Sequence, residues 1–409
     1  MYQNSSFNHA PRRPGYKSYG SQRPYSSGPR RHFSSKPRSR GGQTIDPARF
    51  VKIANPGESA DYKSGHDFAD FVMHPLLKSN VTAKGYMSPS EIQDKTIALG
   101  LAGRNVVGVA DTGTGKTAAF ALPVLNKLMH TSGSQALIVA PTRELAIQIE
   151  EQCHLLGRSS GISSALLIGG MPMGRQKTAL KNGARLLIGT PGRIKDHLQQ
   201  QTLNLSNCHT VVLDEVDRML DMGFLPDVRH ILQLLPKEHQ AFFFSATVSP
   251  AIKNLIDSFC HNPEFVNVKA GETSSNVHQA VVKFSGKTEK MDRLHNALIA
   301  GDTKKALIFG KTKYGVERLS KELNARGFKT AALHGGKSQG ARKRALDAFR
   351  LNNLNILVAT DVAARGIDVK DITHVINFDQ PQTYDDYVHR IGRAGRAGRP
   401  GHALTFVEN

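Results

Sequence analysis

Short runs of aliphatic and aromatic residues alternate with longer stretches of helical period along this chain, and the alternation occurs twice. Val106-Val-Gly-Val, Ala136-Leu-Ile-Val-Ala, Leu186-Leu-Ile-Gly, Thr210-Val-Val-Leu and Ala241-Phe-Phe-Phe make a first series. Ala306-Leu-Ile-Phe, Thr330-Ala-Ala-Leu, Asn355-Ile-Leu-Val and His374-Val-Ile-Asn make a second. Runs this short and this apolar need cover on both faces, which is how parallel strands joined by crossover helices are arranged. A polar stretch, Ala270-Gly-Glu-Thr-Ser-Ser-Asn, separates the series and reads as a linker. The expected architecture is therefore α/β: two tandem parallel-sheet domains, at 46–269 and 278–409, with a linker at 270–277 and a tail at 1–45. Loops at the carboxyl ends of the strands face the cleft between two such sheets, and chemistry is expected there.

Composition narrows the class of ligand. The chain holds 54 Lys and Arg against 34 Asp and Glu, a net charge of +20. That excess attracts polyanions, and small neutral substrates alone would not explain it. The tail has nine basic residues, six aromatics and no acid, so nearly half of the excess sits in about a ninth of the length. It cannot bury enough surface to fold alone. Tyr2, Phe7, Tyr16, Tyr19, Tyr25 and Phe33 are interleaved with Arg12, Arg13, Arg23, Arg30 and Arg31, a pattern suited to stacking on bases while neutralising phosphates. A solubilising extension and an organelle address are the other readings of the same stretch. No run of about 18 apolar residues is present, so no membrane partner is expected. The three cysteines, Cys153, Cys208 and Cys260, fit neither a disulfide framework nor a zinc site, which points to inert thiols in a reducing, cytoplasmic setting.

Ala110-Asp-Thr-Gly-Thr-Gly-Lys-Thr follows a strand and opens a helix, the context a phosphate-binding loop requires. Gly113 and Gly115 let the backbone turn its N–H groups toward anionic oxygens, with Thr112 and Thr114 between and before them. Lys116 reaches the outer phosphates and Thr117 ligates magnesium. Ala110 stands where the strict pattern has glycine. Ninety-eight residues after Lys116, a strand ends in Asp214-Glu215-Val216-Asp217. Clustered carboxylates need a cation. Asp214 is expected to hold magnesium through water, Glu215 to orient and deprotonate the water that attacks the γ-phosphate, and Asp217 to make a polar link. ATP and Mg2+ are the cofactors this implies.

With these two elements in place, the chain resembles the DEAD-box RNA helicases of superfamily 2 from about Phe68 to Val407. Gly85-Tyr-Met-Ser-Pro-Ser-Glu-Ile-Gln93, with Phe68 seventeen residues before its glycine, is similar to that family's adenine-reading motif. Pro141-Thr142-Arg143-Glu-Leu, Gly169-Gly170 and Thr190-Pro-Gly-Arg193 match its first-domain RNA motifs, and Ser245-Ala-Thr247 the motif that couples hydrolysis to closure. Phe309-Gly-Lys-Thr-Lys313, Gln339 with Arg342, Ala359-Thr360-Asp-Val-Ala-Ala-Arg365-Gly-Ile-Asp368 and His389-Arg-Ile-Gly-Arg393-Ala-Gly-Arg396 match the later motifs, in family order. Val216, Gly310 and Ala394 depart from the usual Ala, a bulkier residue and Thr.

The resemblance implies two RecA-like domains and a set of roles. Arg393 and Arg396 project from one side of a turn or helix and are candidate arginine fingers, on the domain opposite Lys116, so hydrolysis is expected to need closure. Asp368 is assigned to the ribose, and His389 to the coupling network near Asp217 and Ser245. Pro141, Thr142, Thr190, Gly169, Gly170, Arg143, Arg193, Gln339, Arg342, Thr360 and Arg365 are assigned to RNA. Helix starts at Thr142 and Thr190 favour anions, although a helix cap that binds nothing accounts equally for each Thr-Pro or Pro-Thr pair. Backbone contacts of this type carry no base information, so the partner is RNA of largely unspecified sequence. The expected activity is ATP-dependent unwinding of short duplexes or RNA–protein remodelling by a monomer. A DNA-translocating helicase and an ATP-gated RNA clamp are the rival readings.

Overall fold

The computed structural model describes residues 45–53, 62–111, 113–268, 276–300, 303–364, 369, 371–395 and 399–409. Residues 1–44 of the tail, 270–275 of the linker, and the candidate site residues Thr112, Arg365, Asp368 and Arg396 lie outside them.

Two parallel sheets form. The first comprises β1 (Val106–Val109), β2 (Gln135–Val139), β3 (Ser164–Leu167), β4 (Leu186–Gly189), β5 (Cys208–Leu213), β6 (Gln240–Ser245) and β7 (Glu264–Asn267), ordered β3-β4-β2-β5-β6-β1-β7. The second comprises β8 (Val277–Phe284), β9 (Ala306–Phe309), β10 (Thr330–Leu333), β11 (Ile356–Ala359), β12 (His374–Asn377) and β13 (Gly401–Glu408), ordered β10-β11-β9-β12-β13-β8. Every strand pairing in both is parallel.

The period-2 geometry of a strand explains how such uniform sequences are used. Val106, Ile138, Ile188, Phe242 and Phe244 pack on one face of the first sheet with Phe120 and Ile92 from helices. Their neighbours Val107, Leu137, Leu187 and Phe243 pack on the other with Val216, Met219 and Ile256. The second sheet repeats the pattern, Leu307 and Leu357 on one side, Ile308 and Val358 on the other. All nine strands expected from the sequence are present. Four more, β3, β7, β8 and β13, lie at or next to the sheet margins, where a half-covered strand such as β3 alternates buried and part-exposed residues and so offers no continuous apolar run.

One boundary differs from the sequence expectation. Residues 46–53, read as the start of the first domain, pack on the second sheet instead. Phe50 is fully buried among Val277, Tyr387 and Ile391, and Lys52 forms an antiparallel bridge with Gln279 of β8. Phe50 is the one aromatic of a short stretch whose other large apolar residues, Val51 and Ile53, stay exposed, so nothing local marked its destination.

Phe120 has no exposed surface and its ring lies 5.5 Å from that of Phe244. Phe120→Ala is expected to destabilise the first lobe by about 3–5 kcal/mol, the usual cost of emptying such a site. Urea unfolding followed by tryptophan-free near-UV signals checks this, and an unchanged midpoint would contradict the packing described.

Candidate active site

The loop between β1 and the helix Lys116–His130 is held by its neighbours on every side. Gly115 is the left-handed cap of that helix, at φ 97°, and an added Cβ would lie 2.4 Å from Gln93 Nε2 and 2.9 Å from Ser90 Oγ. Gln93 Nε2 donates to Gly115 O at 3.1 Å, its Oε1 accepts from Ser90 N at 3.0 Å, and Ser90 Oγ donates to Thr114 O at 2.7 Å. Thr114 Oγ1 donates in turn to Asp111 O. The adenine-motif glutamine is thus also a brace of the phosphate loop, with one N–H and one lone pair left for a base. Phe68 is buried, edge-on to Tyr86 and Phe71. Lys116 is buried too, and its Nζ donates to Ala110 O at 2.9 Å. Gly113, at φ 90°, and half-buried Thr117 flank it.

At the end of β5 the chain turns sharply. Glu215 takes the left-handed conformation, φ 54°, ψ 55°, and starts the helix Val216–Asp221. That turn leaves Asp214 and Glu215, both buried, side by side, with Glu215 N donating to Asp214 Oδ1 at 2.9 Å. Burial pushes the Asp214 carboxyl up to about 7, against the pull of Lys116, and the adjacent Glu215 charge adds to the rise. Asp217 makes the polar link expected of it. Its Oδ2 accepts from Ala246 N and Thr247 N at 2.9 and 3.1 Å, its N donates to Ser245 Oγ, and Ser245 Oγ donates to Thr247 O. Ala110 N donates to Ser245 O, which closes a path from Lys116 through Ala110 and Ser245 to Asp217.

The second lobe meets this path at a cavity lined by Arg218, Phe309, Asp361, Asp386, His389, Arg390 and Arg393. Arg218 belongs to the first lobe, one residue past Asp217, and lies 3.9 Å from Asp386 of the second. Arg393 is buried at this cavity. His389 is half-buried there, in the cavity wall beside Arg218, the residue after Asp217.

The candidate RNA residues fall into two groups. The Arg143 guanidinium lies over Gly169 and Gly170 so closely that a Cβ would meet it at 2.8 and 2.4 Å, which accounts for the glycine pair. Arg193 Nη1 donates to Met171 O alongside. Thr142 caps the helix Arg143–Leu156 by accepting from Leu145 N, behind Pro141, whereas the Thr190 hydroxyl makes no such bond at the start of Pro191–Gln199. In the second lobe Thr360 N donates to Leu333 O and Thr360 O receives Ala363 and Ala364 N–H groups. Gln339, half-buried, and Arg342, buried, lie at the seam between the lobes. Arg342 Nη2 pairs with Glu144 Oε2 of the first lobe at 2.6 Å, and Gln339 Nε2 donates to Glu144 Oε1 at 3.4 Å.

Several residues within the quoted motifs had no role assigned. Glu144 spans the lobes as described. Arg390 is buried, forked onto Asp361 at 2.6 and 2.7 Å, and donates to Asn377 Oδ1 and Asp379 O. No local signal marked either one, because each helix carries other charges, Arg143 and Glu150 with Glu144, and Asp385 and Asp386 with Arg390. The thiols of Cys153, Cys208 and Cys260 are free, buried, and pushed up to about 12 by that burial, as expected of inert groups.

Gly115→Ala forces a side chain into the left-handed region, at about 1–2 kcal/mol, and against Gln93. Nucleotide affinity is expected to fall on the order of tenfold or more while the lobe stays folded. Fluorescent-nucleotide titration with circular dichroism tests it, and wild-type affinity would contradict the brace.

The DEAD/DEAH box helicase model matches residues 90–255 and the helicase conserved C-terminal domain model residues 289–398. The DEAD-box ATP-dependent RNA helicases CshA of Bacillus licheniformis and Bacillus subtilis are each 44% identical to the chain over 342 residues, 83% of its length and 70% and 69% of theirs. Among solved structures, S. cerevisiae Dbp5 bound to RNA and ADP BeF3 is 30% identical, with a TM-score of 0.75 over 84% of this chain and 90% of that one. A DEAD box protein from Methanococcus jannaschii is 38% identical but has a TM-score of 0.50, over 84% and 93%. The phosphate loop, the acidic strand end and the two matched models stand in one order on two parallel-sheet lobes, and the chain belongs to the DEAD-box family of ATP-dependent RNA helicases.

Proposed function

We propose that the protein binds ATP with magnesium on the first lobe, closes the second lobe over it on RNA, and uses each hydrolysis to separate a short RNA duplex or remodel an RNA–protein complex. The observation that carries this reading is the hydrogen-bonded path from Lys116 through Ala110, Ser245 and Asp217, with Arg218 next along the chain lining one cavity with Arg393 of the other lobe. Lys116 takes the outer phosphates, the N–H groups of Gly113 to Lys116 hold the rest, and Gln93 gives its remaining amide hydrogen and lone pair to the adenine. Thr117 and the buried Asp214 carboxylate suit a hard cation, because two adjacent buried carboxylates are stable only beside positive charge. Magnesium would neutralise charge on the phosphates as the bond breaks. Glu215 orients the attacking water and takes its proton. Arg393, with Arg396 next along the chain, reaches the reacting phosphoryl group from the second lobe, a contribution on the order of a thousandfold in rate.

RNA is read through its backbone by Thr142, Arg143, Thr190 and Arg193 on the first lobe and by Thr360 and Arg365 on the second. Arg342 Nε and Gln339 Oε1 are buried without a hydrogen-bond partner among the described residues, which supports a further polar ligand at that seam. The likeness to Dbp5 with RNA and ADP BeF3, higher than that to a relative of greater identity, supports a closed arrangement of this kind. We place the protein in the cytoplasm as a monomer, with the basic tail raising RNA affinity. No described helix is long and apolar enough to cross a membrane.

Steady-state ATPase with matched RNA and DNA strands, alongside unwinding of a short RNA duplex, tests the reading; turnover indifferent to RNA would overturn it. In the same assay Glu215→Gln is expected to bind ATP but lose at least a hundredfold in turnover, the scale of a general base, and normal turnover would place the base elsewhere. The raised Asp214 pKa gives a second expectation. A proton must leave this carboxyl before it can hold a cation, so magnesium-dependent nucleotide affinity should weaken as pH falls below about 7 and level off above it. Titrations at pH 6, 7 and 8 check the sign, and a flat profile would contradict it.

A further inference from the structure

The segment 45–53 makes more contacts than a passing chain needs. Asp46 accepts from Ala48 N at 3.0 Å and caps a 3-10 turn, Pro47–Phe50, that proline pre-sets. The turn drives Phe50 into the second lobe while Pro47, Ala48, Arg49 and Val51 stay exposed. The Phe50 ring lies 4.7 Å from that of Tyr387, and the Arg49 guanidinium lies 3.9 Å above Tyr384. Lys52 and Gln279 exchange both backbone hydrogen bonds, at 3.1 and 2.8 Å, and Tyr387 Oη donates to the Gln279 side chain at 2.8 Å.

Tyr384 and Tyr387 belong to the helix Tyr384–Ile391. This is the helix that carries His389 and Arg390, presents Asp386 to Arg218 of the first lobe, and leads through Gly392 to Arg393. It is barely two turns long, too short to hold its own orientation without packing. Arg390 pins it to Asp361 and Asn377 on the lobe side, and Phe50 and Arg49 hold Tyr387 and Tyr384. By Tyr62 the chain is on the first lobe, where Tyr62 Oη donates to Asp94, the residue after Gln93, at 2.6 Å.

We propose that Asp46–Lys52 is a clip built into the chain that sets the orientation of the helix Tyr384–Ile391, making Phe50 a positioning residue for Arg393. It rests on the reading that Arg393 acts on the nucleotide from the second lobe. Phe50 touches neither nucleotide nor RNA, so its effect falls on turnover and not on ground-state binding: a reacting group displaced by an ångström loses rate without losing its ligand.

The test uses the full-length chain with Phe50→Ala, Phe50→Leu, Lys52→Pro and Arg393→Ala. Phe50→Ala should lower RNA-stimulated kcat on the order of tenfold, as for a small misplacement of a catalytic group, with nucleotide affinity in the absence of RNA unchanged. Phe50→Leu, which refills the pocket, should restore most of the rate, and Lys52→Pro, which removes one backbone bond without touching the core, should lower it in the same direction. Thermal melts accompany each variant; if Phe50→Ala does not fold, Lys52→Pro decides alone. Wild-type kcat in Lys52→Pro and in folded Phe50→Ala overturns the clip. Turnover that survives Arg393→Ala sinks the finger reading whatever Phe50 does, whereas turnover lost in Arg393→Ala but intact in the other two sinks the clip alone.

Discussion

A carboxylate on one lobe and a guanidinium on the other, both almost wholly withdrawn from water, hold each other at 2.6 Å in the Glu144–Arg342 pair. Such a pair contributes little net stability, because desolvating both ions offsets most of their attraction, but leaving either buried alone costs about 3–5 kcal/mol. It therefore forms fully or dissolves fully into water. That makes it a registration device: the lobes close in one alignment or separate, with no half-made intermediate. Arg218 with Asp386 and Arg350 with Glu151 repeat the same opposition of charge between the lobes, at 3.9 and 4.0 Å.

Everything else in the site follows from what that alignment brings together. The first lobe already braces its phosphate loop through Gln93 and Ser90, and its acidic strand end through Asp217 and Ser245. Arg393, the positive charge proposed for the far side of a bound triphosphate, is on the second lobe. The division keeps hydrolysis slow until the lobes align. Regulation by RNA then needs no moving catalytic loop, only contacts on both lobes that favour the closed alignment over the open one.

The sequence made the chemistry more legible than the architecture. Phosphate chemistry needs fixed residue types at fixed spacing, so the sequence locates Lys116 at a loop-to-helix junction and Asp214 and Glu215 just past a strand end, while Asp217 falls in the first turn of the helix that follows. Central strands were readable because burial on both faces leaves long apolar runs; β3, β7, β8 and β13 were not, since partial cover breaks those runs. Arg342 pairs with Glu144 across the lobes, a contact between residues far apart in sequence that no motif spacing shows. Phe50 and Arg390 were overlooked for a related reason. Their partners, Tyr387 and Asp361, are 337 and 29 residues away, and only the fold brings them together.

Catalysis waits for two half-sites, one on each lobe, to align. The three native cysteines are buried, so cysteines introduced at exposed Asn182 and Lys321 can be dye-labelled selectively, one on each lobe. Single-molecule energy transfer between them should report a close, narrow distance when RNA and ATP are both present, and a broad, longer one with either alone. Glu144→Ala should shift the doubly bound population back toward the long distance. An inter-lobe distance that is the same with and without both ligands would contradict the account.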